Sequence, residues 1–392
     1  METAVIVDAV RTASGRGKQG GALSGVHPVD LLAETLSALI ARVGIHKGVV
    51  DDIIGGCVQQ VGDQSGNIAH TAALAAGFPE TVPGTTVNRQ CGSSQQAASF
   101  AAQGVMAGAY DIVIACGVES MSRVPLLAAR AGAVGSSTRI AARYPEGLVN
   151  QGVSAELISA KWKLSRDDLD EYSARSHARA AEATRSGAFD NEIVPVTVGA
   201  GKHTLDETVR ESTTAAKLAN LQPSFESAEI GERFPQIDWK ITPGNSSPLT
   251  DAASAVLIMS ESKARELGLK PRARFHAFSV VGDDPLLMLT GPIPATKKVL
   301  DRANMTIEDL DVYEVNEAFA PVPLAWAREL NADMDKLNPR GGAISLGHAL
   351  GASGTRILTT LLHTLESTGG RYGLQTMCEA GGLANATIIE RL

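Results

Sequence analysis

Short apolar runs alternate along this chain with longer stretches in which apolar residues recur at helical spacing. Residues 3–10 are apolar enough for a buried strand. Residues 28–43 carry Val29, Leu32, Ala33, Leu36, Leu39 and Ile40 on one stripe, which predicts a helix that stops at Gly44. Asp51 and Asp52 then lead into Ile53-Ile54-Gly55-Gly56-Cys57-Val58, a second buried-strand pattern. Near the other end, Glu308-Asp309-Leu310 leads into Asp311-Val312-Tyr313-Glu314-Val315 in much the same way.

The parallel continues. In the first half a strand-like run ends at Val87-Asn88-Arg89-Gln90-Cys91-Gly92, followed by a small-residue helix over 94–107 and an apolar strand over 111–115 that closes in Gly117. In the second half a glycine-rich segment reaching His348 precedes a helix over 353–365, and a strand over 372–377 ends in Cys378. Strands alternating with helices imply mainly parallel sheets with helices on their faces. The repeated order implies one α/β fold used twice. Between the halves, over 121–249, the texture becomes polar and irregular. Ser165-Arg166-Asp167-Asp168 there has a helix-capping pattern, the helix runs to about residue 186, and Gly187 suits its stop. The chain is expected to return near Asp251, with 252–259 completing the first half's sheet.

Composition sets limits on partners. A chain of 392 residues, 44% of them hydrophobic, is long enough for two ordinary domains. No apolar run approaches the roughly 20 residues a membrane-spanning helix needs. The sequence opens straight into a strand-like run without a signal-peptide pattern, and Glu390-Arg391-Leu392 is not a peroxisomal address, so a cytoplasmic location is expected. A net charge of −8 disfavours nucleic acid, although local basic residues and helix N-termini can still hold phosphates. Cys57, Cys91, Cys116 and Cys378 are too few for a disulfide framework and lack the paired spacing of a zinc site, so no metal is expected. Each is core filler or chemistry. Cys57 and Cys116 lie in apolar runs and read as core thiols.

Cys91 is different in its setting. It sits between a strand-like run and a helix, where the macrodipole favours a thiolate. On position alone, a small buried thiol at a tight turn is the expected reading. Asn338-Pro339-Arg340-Gly341-Gly342-Ala343-Ile344-Ser345-Leu346-Gly347-His348-Ala349-Leu350-Gly351-Ala352-Ser353-Gly354 shifts the balance. Glycines so dense on both sides of one histidine imply close backbone packing around an imidazole, which can take a thiol's proton and then stabilise an oxyanion. Thr376-Met377-Cys378-Glu379-Ala380-Gly381-Gly382 places another cysteine at a strand end entering a glycine turn. In Val315-Asn316-Glu317-Ala318-Phe319-Ala320 the asparagine can bind a carbonyl or orient a water, and the other residues read as helix start and packing.

Taken in order, these segments resemble the thiolases, and the resemblance runs from end to end. It also covers Val10-Arg11-Thr12, Gly117-Val118-Glu119-Ser120-Met121-Ser122 and Gly244-Asn245-Ser246-Ser247. It implies two duplicated βαβαβαββ halves in a five-layered αβαβα core: residues 1–120 with 250–270, and residues 271–392, with a loop domain inserted over 121–249. It also implies a homodimer or a dimer of dimers, with a tetramerisation loop after Ser122. The implied activity is that of an acetyl-CoA C-acyltransferase. Cys91 is the acyl-accepting nucleophile, His348 its base, Cys378 the second acid–base thiol, and Asn316 the holder of a water. The implied reaction needs no permanently bound cofactor, with coenzyme A entering as substrate, and ping-pong kinetics follow from the acyl-cysteine.

Departures from the family pattern accompany the matches. Ala380 stands where glycine is usual, and its N–H is expected to join that of Cys91 in an oxyanion hole. Pro248 follows Ser247 where relatives have glycine, which stiffens the loop over the pantetheine. Arg210 and Ser247 match CoA-contacting positions. Gln151-Gly152-Val153-Ser154-Ala155-Glu156 lacks the histidine and methionine of acetoacetyl-specific relatives. With Val87 to Gln96, this favours a degradative 3-ketoacyl-CoA thiolase of fatty-acid or sterol side-chain β-oxidation. The alternatives are biosynthetic acetoacetyl-CoA formation, a CoA-ester-binding relative without turnover, and a thioester hydrolase using Cys91 and His348. His27, His46, His70, His177, His203, His276 and His363 carry no catalytic motif, and Trp162, Trp239 and Trp326 read as packing residues. The acidic stretch 167–171 reads as a solvated helix face.

Overall fold

The computed structural model describes residues 2–133 and 137–392. Residues 134–136, within the expected tetramerisation loop, lie outside the described residues. The principal strands are β1 (Ala4–Thr12), β2 (Asp52–Gly56), β3 (Gly84–Val87), β4 (Ile112–Ser120), β5 (Thr250–Ser260), β6 (Ala273–Gly282), β7 (Val312–Val315), β8 (Tyr372–Glu379) and β9 (Leu383–Arg391). They form one path, β7-β8-β9-β6-β1-β5-β4-β2-β3. Its centre is the antiparallel pair β1–β6, with Val5 opposite Arg274.

Outward from that pair, the first half reads β1-β5-β4-β2-β3 and the second β6-β9-β8-β7. The two sides repeat one order, short of a single strand. That missing counterpart of β3 survives as an isolated parallel bridge between Tyr313 and Leu337. Helices α1 (Pro28–Val43) and α2 (Ile68–Ala75) cover the outer face of the first half, and α3 (Ser93–Met106) covers its inner face. In the second half, α6 (Pro292–Ala303) and α7 (Pro321–Leu330) lie outside. There α8 (Ser353–Thr368) lies inside, against α3. Ala97, Ala101, Leu358 and Leu361 share the apolar cluster between the halves. This is the five-layered arrangement the resemblance implied.

Local chemistry accounts for most boundaries. α1 starts where the His27 side chain accepts from the Val29 N–H, takes Pro28 in its first turn, and ends at Gly44 with φ 78°. β4 runs three residues beyond Gly117, which pairs with Ser254 inside the ladder. Gly117 is a contact position and not a turn: a Cβ there would lie 2.7 Å from the Ser94 side chain.

Two expectations about the inserted region change. Residues 151–156 belong to α4 (Gln151–Lys161), a helix capped by Asn150 and buried along most of its length. Helix α5 (Arg166–Arg185) has the expected Ser165–Asp168 capping box, but its acidic start is not all solvated. Asp170 is buried, accepting from Arg166 Nε at 2.7 Å and from Asn245 Nδ2 at 3.0 Å. Buried carboxylates persist only when paired and hydrogen-bonded, and Asp170 meets that condition.

Glu317, read above as packing material, is also a buried acceptor. It receives the Tyr172 hydroxyl at 2.8 Å, the Ser176 hydroxyl at 2.8 Å, Asn338 Nδ2 at 2.8 Å and the Ile344 N–H at 3.1 Å. Through it the inserted helix α5 is tied to the His348 segment. Glu317→Ala would leave the Tyr172 hydroxyl and the Ile344 N–H without an acceptor, while Ser176 keeps Ser345 and Asn338 keeps the Val315 carbonyl, and is expected to cost about 3 kcal/mol or more. The urea-unfolding midpoint measures this, and a variant as stable as the parent would show that the hub is dispensable.

Candidate active site

Cys91 stands at a sharp turn between β3 and α3. Gln90 adopts φ 49°, in the left-handed region. The strain is held by Ser93, whose hydroxyl accepts from the Arg89 N–H at 2.9 Å and donates to the Gln90 carbonyl at 2.5 Å. Cys91 is buried, packed with Leu350, Ile357 and Met377.

Cys378 lies on β8 beside it, fully buried. Asn316, on the turn after β7, directs Nδ2 at the Cys378 sulfur at 3.7 Å and lies 3.5 Å from His348 Nε2. His348 Nδ1 is 2.6 Å from Ser353 Oγ, whose own proton goes to the Ala349 carbonyl at 2.8 Å. The Ser353 oxygen therefore accepts from Nδ1–H. That fixes the neutral tautomer with a free lone pair on Nε2, facing Asn316. Cys91, Asn316, His348 and Cys378, from four separate segments, thus share one buried site.

Burial dominates the electrostatics. It pushes the Cys91 thiol well above its ordinary range, with Cys378 and Glu379 adding to the effect, while the N–H groups of Cys91 and Ala380 pull the other way. Cys378 is raised to about 11 by burial, opposed by Asn316 and by the N–H groups of Cys378 and Ala318. His348 is lowered to about 3 by burial and by Arg356. Alanine at 380 brings no backbone strain, because the positive-φ positions of this turn fall on Gly381 (90°) and Gly382 (80°). Burial leaves Cys57 with a raised thiol pKa and moves Cys116 up to about 12, so both stay protonated in the core.

A cavity of about 240 Å³ on the surface is lined by Arg16, Lys18, Thr208, Arg210, Pro248 and Leu249. A narrower one beside it is lined by His177, Arg210, Ser246 and Pro248. Arg210 thus borders both, and Ser247 lies between two lining residues, its N–H donating to the Ala318 carbonyl at 3.0 Å.

The profile described as "Thiolase, N-terminal domain" matches residues 4–262, and "Thiolase, C-terminal domain" matches residues 269–391. The chain belongs to the thiolase family. It is 49% identical to the steroid 3-ketoacyl-CoA thiolase FadA6 of Mycobacterium tuberculosis, over all of this chain and 95% of that one. It is 45% identical to a 3-ketoacyl-CoA thiolase of Vibrio cholerae over the full length of both. The crystal structure of the Bacillus anthracis acetyl-CoA acetyltransferase superposes with a TM-score of 0.89 at 38% identity, covering 100% of this chain and 99% of that one.

Several residues of this thiolase escaped the sequence reading. Ser353 looked like a helix start, yet it orients the imidazole. Glu119 accepts the N–H groups of Val58, Gln59 and Gly351 at 2.8–3.0 Å, fixing the far end of the His348 segment. Arg16, at the end of a short strand pairing with β5, and Lys18, in the bend after it, form a basic pair among glycines shortly after β1, a signal that was available. His177 accepts from the Arg210 N–H at 3.1 Å, a contact no local pattern announces.

The buried histidines make stability depend on pH. His348 is lowered to about 3 and His177, by burial, to about 4, whereas both titrate near 6.5 when unfolded. Below about pH 6.5 the unfolded chain takes up protons that the folded chain refuses, so stability falls as pH falls. Thermal melts between pH 7 and 5 are expected to show this decline, with a shallower slope in His177→Asn. Equal slopes would refute the assignment.

Proposed function

We propose that this thiolase works in the degradative direction. It cleaves a 3-oxoacyl-CoA with free CoA to give acetyl-CoA and a shortened acyl-CoA. The observation that carries the bond-cleaving chemistry is the meeting of two cysteines, Cys91 and Cys378, around Asn316 and a tautomer-fixed His348, while its direction rests on relatives named 3-ketoacyl-CoA thiolase. A hydrolase would need one thiol, and a non-catalytic binding protein neither.

In the first half-reaction the Cys91 proton passes to His348 Nε2 as the sulfur attacks the 3-keto carbon. The new oxyanion there is received by the N–H groups of Cys91 and Ala380. The carbon–carbon bond then breaks. The departing enolate of acetyl-CoA has its thioester oxygen held by the imidazolium and an Asn316-bound water, and it takes a proton from Cys378. A thiol raised to about 11 keeps that proton until a stronger base arrives. In the second half-reaction the Cys378 thiolate removes the proton of an incoming CoA thiol. CoA sulfur attacks the acyl-cysteine, the acyl group leaves as acyl-CoA, and Cys91 recovers its proton from His348.

Arg210 and Ser247 serve CoA in this reading, with Arg210 placed for phosphate or adenine. The relatives named for steroid and for general 3-ketoacyl-CoA substrates support a degradative role over condensation of two acetyl-CoA. The protein is proposed to act in the cytoplasm as a homodimer or dimer of dimers. No helix among the described residues is long and apolar enough to cross a membrane.

Loss of the enolate absorbance of 3-oxoacyl-CoA thioesters, linear and steroid, with and without CoA, tests the reading. CoA-dependent cleavage is expected, and Cys91→Ala and Cys378→Ala should each lower kcat by about 10²–10⁴-fold. Absence of cleavage with every acyl group, or CoA-independent release of free acid, would overturn it. Arg210→Ala is expected to raise the KM for CoA about tenfold or less, with kcat little changed; an unchanged KM would remove Arg210 from the CoA site.

A further inference from the structure

Glu379 follows Cys378 in sequence but points to the opposite face of β8, as strand alternation requires. It is fully buried, and neither carboxyl oxygen has a hydrogen-bond partner among the described residues. Its Oε1 occupies the space that a Cβ at Gly92 would fill, next to the Cys91 turn, with Asn385 Nδ2 3.0 Å from the same point. The N–H groups of Gly92 and Ser93 do not serve it, since they donate to the carbonyls of Arg89 and Gln90.

Unmatched acceptors crowd the surroundings. Gln375 lies on the same face of β8, and Asn385 and Thr387 lie on β9, paired with Met377 and Gln375. Gln95 donates Nε2 to Thr387 Oγ1 at 3.0 Å, Gln375 donates to the Gly354 carbonyl at 2.6 Å, and Asn385 donates to the Gly92 carbonyl at 3.2 Å. Each amide thus directs an N–H to another acceptor and leaves its oxygen bare. A carboxylate here would add two more unmatched acceptors, whereas a carboxylic acid adds a donor. The charged and titratable groups around Glu379 are Arg89 and Cys91 on the turn before α3 and Cys378 on its own strand.

We propose that Glu379 is a positioning residue of the thiolase site. Held as a neutral acid against Gly92, it donates into the acceptor-rich seam and keeps the Cys91 turn and the Ala380 peptide in place; once ionised, it sets a negative charge beside the Cys91 sulfur and opposes thiolate formation. Burial raises its carboxyl to about 8 against the pull of Arg89, which puts that ionisation within the working range of a soluble enzyme. The proposal rests on Cys91 as the nucleophile, so its test reads the thiol directly.

Iodoacetamide alkylation of Cys91, followed by peptide mass spectrometry from pH 6.5 to 10, separates the cases. In the parent, reactivity is expected to climb with pH, lag as Glu379 ionises near pH 8, and climb again. In Glu379→Gln the lag disappears, so the variant-to-parent rate ratio at pH 9.5 exceeds that at pH 7 by about tenfold, the equivalent of one pKa unit at Cys91. Glu379→Leu, a second uncharged side chain, should move the ratio the same way. A ratio independent of pH in both variants overturns the proposal even if thiolysis is normal. A ratio that moves in a protein without thiolysis upholds Glu379's effect on Cys91 while refuting the proposed function.

Discussion

Everything in the site depends on how closely two helices approach at the centre of the molecule. α8 meets the N-terminal end of α3 backbone to backbone: a Cβ on Gly354 would overlap the Gln95 main chain, and the Thr355 N–H donates to Ser94 Oγ at 3.0 Å. Alanine and serine fill most of the α3 sequence facing this contact, and larger residues would push the helices apart. Because Cys91 precedes one helix and His348 the other, the contact between the helices sets the relation between thiol and imidazole. The glycine density around His348 is therefore as much a packing requirement as a catalytic signature.

The His348 segment is then clamped along its length. Glu317 takes the Ile344 N–H at 3.1 Å, Thr250 Oγ1 takes the His348 N–H at 3.0 Å, and Glu119 takes the Gly351 N–H at 2.8 Å. The two carboxylates come from opposite halves of the fold, Glu119 from the end of β4 and Glu317 from just beyond β7. Each is buried, which is tolerable because several donors converge on it. The loop that carries His348, the proposed base, is thus rigid without belonging to a long regular element, and its imidazole is pre-oriented.

Much of this was legible in the sequence, and the limits have physical causes. An apolar stripe with a glycine stop located α1, and a capping pattern with a glycine stop located α5, because helix ends advertise themselves through local chemistry. The segments bearing Cys91, His348, Cys378 and Asn316 stood out for their residue types. What could not be read were long-range functions of residues with common local roles. Ser353 resembles any helix-start serine, Glu317 any packing residue, and Asp170 any exposed helix acid, until α5 docks on the second half and buries them. The helix over 151–161 was hidden for a related reason: buried on most sides, it shows little of the amphipathic periodicity that betrays a surface helix.

The same burial shapes the chemistry. Each ionised form in the site is disfavoured: thiolate at Cys91, thiolate at Cys378 and imidazolium at His348. A resting ion pair between Cys91 and His348 is therefore not the ground state this environment selects. Both groups wait neutral, with Nε2 already the accepting nitrogen. In the proposed reaction, charge separation becomes favourable only when a carbonyl oxygen lies on the Cys91 and Ala380 N–H groups, so that the negative charge appears on an oxygen already solvated by fixed donors. On that proposal, proton transfer is tied to carbon–sulfur bond formation, and a neutral thiol is less open to adventitious reaction while the site is empty. A buried carboxyl beside that thiol fits this scheme only in its neutral form, since a permanent negative charge would raise further the barrier that the two N–H groups lower.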